Sequence, residues 1–145
     1  AREIANVGRS TRGRVALTRN GDIALTAGDR AQRAEARGST VYLAVHFNSS
    51  LSPTQAGYRL AVHDDELGSA ATKLSASLHA ALSAAGFAGT ETVLPMASLR
   101  RAAMTAVHLE VAYLSNPDEA RLWMNPRTRR LAAEAIWAGL ASYRP

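Results

Sequence analysis

The chain has 145 residues, 47% apolar and 20% charged, which describes one ordinary globular domain long enough to bury a core. Its net charge of +5 rests on 16 Arg and a single Lys scattered along the chain with few aromatics among them, so a nucleic-acid surface is not indicated, while attraction to an acidic polymer stays open. There are no cysteines, which excludes disulfides, thiolate metal sites and a Cys nucleophile. No apolar run approaches the roughly 18 residues of a membrane span.

The chain opens on Ala1 rather than Met, as a processed product or a piece of a longer protein would, so a targeting segment could have stood before it. Residues 2 to 13 read as the tail of a helix and a turn, with Gly8 and Gly13 as breakers. Val15-Ala16-Leu17-Thr18-Arg19 reads as a strand, and Asn20-Gly21-Asp22 as a turn. Thr26 and Asp29 have the spacing of a capping box and open a helix that stops at Gly38. Val41 to His46 is a short apolar run, the pattern of a buried strand, followed by a polar loop holding Pro53.

Tyr58, Leu60 and Val62 alternate with Arg59, Ala61 and His63, so this strand is expected to be half exposed and at a sheet edge. A helix from about Ser69 to Ala85 carries one apolar stripe and ends at Gly86. Residues 87 to 104 are poorly patterned, with a short strand expected at Val93-Leu94. Thr105 to Glu110 is a second buried strand. Asn116-Pro117 and Asn125-Pro126 each cap a helix, and the last buries Leu131, Ala135, Ile136, Gly139, Leu140 and Tyr143. Trp123, Trp137 and the methionines are expected in the core or between helices. The order implies one α/β domain with a mixed, mostly parallel sheet and helices on both faces.

Two residues stand out. His46 and Glu110 each end a buried strand, and in open α/β sheets sites form beyond the carboxyl ends of strands. They suit a metal ligand and a general base. Each also has a plain structural reading: His46 as a hydrogen-bonded strand-end residue, Glu110 as half of an ion pair, for instance with Arg19. His108 shares a face with Glu110 and would orient it, replace a ligand, or pack as a hydrogen-bonded core residue. Asn48 is a candidate for touching substrate or for an ordinary Asx turn, and Arg19 for a substrate carboxylate or a partner such as Asp22. His63 and His79 are expected in solvent. No phosphate-cradling Gly-rich loop and no G-x-S-x-G occurs.

Leu17-Thr18-Arg19, Asp29-Arg30, Val45-His46-Phe47-Asn48 and Leu109-Glu110-Val111-Ala112-Tyr113-Leu114-Ser115-Asn116-Pro117 occur in that order. Together they resemble the zinc-dependent N-acetylmuramoyl-L-alanine amidases, the type-3 amidases of bacterial cell-wall remodelling, from about residue 14 to the end. The resemblance implies an amidase/phosphorylase-hydrolase-like fold, peptidoglycan as substrate, a cell-envelope location (periplasmic or secreted), a monomer, and zinc as cofactor. It matches His46 to a zinc histidine and Glu110 to the catalytic glutamate, with Asn48 and Arg19 as candidate substrate contacts. Zinc in such enzymes lowers the pKa of bound water from about 15.7 to near 7.

The family's Asp-Pro-Gly-His-Gly-Gly strand and the zinc glutamate that opens its first helix have no counterpart in this sequence. Glu3 lies too close to Leu17 to match. The expectation is therefore a catalytic domain over 1–145 without its first strand and part of its first helix, binding zinc weakly or not at all by itself. The alternatives are a catalytically inactive wall-binding relative and a zinc peptidase acting on the stem peptide.

Overall fold

A computed structural model describes residues 1–64 and 69–145. Helix α1 spans Arg2–Ser10 and α2 spans Ala27–Glu35. Strands β1 (Val41–Asn48) and β2 (Tyr58–Val62) follow, then α3 (Ala70–Ala84) and β3 (Gly89–Val93). A short α4 (Ala97–Arg100) leads to β4 (Thr105–Tyr113), and α5 (Pro117–Met124) and α6 (Pro126–Ser142) close the chain. The expected α/β architecture is present. No helix among the described residues is long and apolar enough to cross a membrane.

Local sequence explains the helix ends. Thr26 accepts from the Asp29 amide while the Asp29 carboxylate accepts from the Thr26 amide, the reciprocal capping box its spacing predicts. Ser69, Asn116 and Asn125 cap α3, α5 and α6 with their side-chain oxygens, and the proline that follows each Asn has no amide to satisfy.

The sheet has four strands in the order β1-β4-β2-β3. β1 runs parallel to β4 and β2 parallel to β3, while β2 and β4 are antiparallel. One sheet face carries Leu60, Val62, Val107, Leu109 and Val111 against α1, α3 and α6, which forms the main core. The other face carries a smaller cluster of Tyr42, Ala44 and Ala106 with Ala34 of α2 and Leu99 of α4. The second cluster covers only part of its face, and the uncovered part holds the polar residues.

Several expectations are corrected. Val15–Arg19 forms no strand and pairs with none among the described residues. β2 is not an edge strand: it lies between β4 and β3, with Leu60 and Ala61 fully buried, because β4 needs a neighbour on the side away from β1. His63, at its end, is buried rather than solvated and lies 2.7 Å from Asp64 through Nδ1. His79 is half-buried, with Nδ1 2.9 Å from the Tyr58 hydroxyl. The strand expected at Val93-Leu94 begins earlier, at Gly89. Trp123 and Trp137 do pack against the core, but Met124 is exposed.

Gly8 does not break α1. It lies within the helix, and a Cβ there would sit 2.8 Å from Trp137, so its small size lets α1 pack close to that ring. Gly139 does the same where α6 crosses α3: an added Cβ would lie 2.9 Å from the Leu78 Cα. Backbone cannot swing aside as a side-chain tip can. Gly139→Ala gains helix propensity of about 1 kcal/mol but forces two helices apart at a cost of about 1–3 kcal/mol. The expected result is a net loss of stability, read as a lower urea midpoint at unchanged m-value.

Candidate active site

The site is built from sheet register. His46 of β1 stands opposite Glu110 of β4, and Glu110 stands opposite Arg59 of β2. Register partners project to the same face, so three residues remote in sequence form one row across three strands. The adjacent row is Ala44, His108 and Ala61. Small alanines on both sides leave room for the imidazole of His108. An irregularity between His46 and Asn48 shifts the pairing so that Asn48 stands opposite Tyr113.

Glu110 is held tightly. Its Oε2 accepts from Arg59 Nε at 2.7 Å and from Asn48 Nδ2 at 2.6 Å. Its side chain is only 13% exposed, so both contacts act with little screening. Oε1 faces His108 Nε2 at 3.6 Å, too far for a hydrogen bond, and is the oxygen left to exchange a proton. Asn48 Oδ1 also accepts from the Ser49 amide, one residue on rather than the two of an Asx turn, so the side chain is held at its oxygen while its nitrogen clamps the glutamate.

His46 and His108 stack, with centroids 4.7 Å apart and planes 11° apart. Burial lowers the pKa of both. For His46 the nearby charges of Arg30 and Arg19 add to this and Glu110 opposes it. For His108 the neighbouring His46 adds and Glu110 opposes. His108 Nδ1 is buried without a hydrogen-bond partner among the described residues.

Arg19 is not brought to Glu110. It donates to the Ile23 carbonyl at 3.0 Å and lies 3.8 Å from Asp22. The ion-pair partner of Glu110 is Arg59, which the edge-strand reading had turned toward solvent. Glu119 is a second residue the sequence did not flag. Its two oxygens accept from the Gly57 and Tyr113 amides at 2.8 and 2.7 Å, which fastens the loop before β2 to the end of β4.

Zinc needs three protein ligands with lone pairs converging at about 2.0–2.2 Å. Among the described residues no three His, Cys, Asp or Glu side chains gather in that way. His108 cannot replace a ligand in this arrangement. The nitrogen lone pairs of two stacked rings lie in parallel planes, and one ion cannot lie in both. Glu110 is already engaged by Arg59 and Asn48. The residues present therefore do not by themselves fit zinc.

Comparison with known proteins places this geometry. The family model for N-acetylmuramoyl-L-alanine amidase matches residues 1–142. Among curated proteins none matches. The catalytic domain of CwlV, an N-acetylmuramoyl-L-alanine amidase of Bacillus (Paenibacillus) polymyxa var. colistinus, is similar at 26% identity and TM-score 0.86, over 97% of this chain and 78% of that one. The N-acetylmuramoyl-L-alanine amidase of Clostridium difficile 630 shares the fold at TM-score 0.88 and 21% identity, over 97% and 80%. So does the apo form of Ami1 from Mycobacterium abscessus, at TM-score 0.88 and 19% identity, over 97% and 73%.

Two predictions follow from the site itself. After dialysis against metal-free buffer, zinc measured by mass spectrometry should fall well below one equivalent per chain; stoichiometric zinc would mean the ligand geometry described above is wrong. The second concerns pH. A histidine whose folded pKa lies below its unfolded value of 6.5 binds more protons unfolded than folded. Its contribution to stability is present above pH 6.5 and is lost as pH falls through the folded value. The melting temperature should therefore drop between pH 7 and pH 5. His108→Phe, which keeps a ring against His46 without the titrating nitrogen, should flatten that drop.

Proposed function

Because the chain belongs to the N-acetylmuramoyl-L-alanine amidase family, we propose that it acts at the cell envelope on peptidoglycan, with the amide between N-acetylmuramic acid and L-alanine of the stem peptide as the bond cut. The observation that carries this reading is the His46–Glu110–Arg59 row, in which His46 is exposed and Glu110 is held between its partners at 13% exposure. Amide hydrolysis needs a group that takes a proton from attacking water and returns it to the leaving nitrogen. Glu110 is that group, through Oε1. Arg59 and Asn48 hold Oε2 and so fix the direction in which Oε1 points.

Of the family's zinc ligands this chain matches one, His46. No step is routed through the metal, because the residues present do not complete its site. The same observation favours a second reading, in which the chain holds the wall without cutting it.

Purified peptidoglycan separates the two. The hydrolytic reading expects new L-alanine amino ends and unsubstituted lactyl groups, and a loss of about 10²–10⁴-fold in rate with Glu110→Gln, the usual range for a general acid–base. Cosedimentation with the wall and no such ends would favour the binding reading. Undiminished hydrolysis by Glu110→Gln would remove Glu110 from the mechanism.

A further inference from the structure

The Arg59–Glu110 pair lies at the end of a ladder. β2 and β4 pair from Ala61 opposite His108 to Arg59 opposite Glu110, and the pairing stops at that rung among the described residues. Ladders open first at their ends, and an ion pair on the last rung opens with it unless the two backbones are held together further on. Past the rung, the amides of Gly57 and Tyr113 meet one side chain. Glu119 Oε1 accepts from Gly57 at 2.8 Å and Oε2 accepts from Tyr113 at 2.7 Å. Two N–H groups cannot bond each other, but a carboxylate, which only accepts, joins them. Glu119 thus closes the ladder where the backbones cease to pair.

Local sequence offers Glu119 a different task. Asn116-Pro117-Asp118-Glu119 has the spacing of a capping box, in which the third helical residue returns its carboxylate to the amide of the cap. Asn116 Oδ1 does accept from the Glu119 amide at 3.2 Å, but the Asn116 amide already donates to the Tyr113 carbonyl at 3.1 Å. The Glu119 side chain is therefore left for residues outside its own helix, and both that it takes bear on Glu110. Gly57 stands two places before Arg59. Its φ of +92° and the 2.7 Å between a built Cβ and the Ala88 carbonyl oxygen make this a turn that only glycine enters without strain. Tyr113 stands opposite Asn48, whose carbonyl accepts from the Leu114 amide at 2.9 Å. Arg59 and Asn48 are the two donors on Glu110 Oε2, so one carboxylate stands behind both.

We propose that Glu119 is a positioning residue for Glu110: by bridging the residue before β2 to the last residue of β4, it keeps Arg59 and Asn48 on Oε2 and so fixes the direction of Oε1. The proposal rests on the reading of Glu110 as the group that moves the proton. Glu119 acts through backbone, so its two bonds must hold together. Glu119→Gln keeps one acceptor and turns an amide nitrogen toward the other N–H, donor against donor, which releases one of the two strands.

That variant is read first by NMR, which needs no turnover. Solvent exchange of the Arg59 Nε–H, identified by its loss in Arg59→Lys, should quicken at least about tenfold, while the amides of Leu60 and Val107 deeper in the same strands change less than about twofold. Glu119→Asp, with both oxygens on a shorter arm, should give an intermediate acceleration, and it takes over the test if Glu119→Gln does not fold. On a soluble N-acetylmuramoyl peptide, kcat should fall at least about tenfold with KM within about twofold of the unsubstituted protein. The same substitution should cost less in an Arg59→Lys background, because the two act as a unit. Unchanged Arg59 exchange overturns the proposal, as does equal acceleration at Leu60 and Val107, or a kcat loss that adds in full to that of Arg59→Lys. No hydrolysis by the unsubstituted protein, with the exchange result as expected, would overturn the hydrolytic reading and leave the hold of Glu119 on the Glu110 carboxylate standing.

Discussion

The position of β4 between β1 and β2 is the constraint on which the rest of the molecule depends. Parallel pairing on one side and antiparallel pairing on the other place His46, Glu110 and Arg59 in one row. A slip of one residue in either pairing would turn a member of that row into the apolar core and a core residue out to solvent. Val107, Leu109 and Val111 on the opposite face of β4 resist that slip because they are buried against the helices. The same packing that stabilises the domain therefore fixes the register of the site. Glu110 needs this rigidity, since a carboxylate with so little exposure is tolerable only while Arg59 and Asn48 remain in place.

What could be read from the sequence divides along the range of the interactions. Helix caps at Thr26, Asn116 and Asn125 are local, and each was visible as a side chain next to the amides it satisfies. His46 and Glu110 were visible because a polar residue ending an apolar run costs too much to lie there without a partner or a task. Arg59 was not. Its strand alternates as an edge strand does, and nothing within that segment states that β4 will lie against it in the opposite direction. Glu119 was hidden for the same reason, since the amides it binds belong to residues 57 and 113.

Val15–Arg19 is the instructive failure. Its β-branched and apolar residues favour extended backbone, yet no strand forms there. Strand propensity, however, reports how well side chains pack on a pleated surface once a neighbour supplies hydrogen bonds. Without that neighbour the segment lacks its ladder. The arginines behave in a related way. They are scattered in sequence, and no local window marks them as a group, but α1, α2 and this segment converge so that six line one trough.

The two unusual properties of His46 share this origin. It belongs to the row that holds Glu110, yet it is exposed, because β1 is the outermost strand and only the trough lies beyond it. Among the described residues its ring neighbour is His108, and that stacking sets the imidazole plane that any ligand of His46 must meet. Glu110 is anchored from both sides, by Arg59 of β2 and by Asn48 at the end of β1, so its carboxylate is fixed by the sheet itself while the outer side of His46 stays exposed.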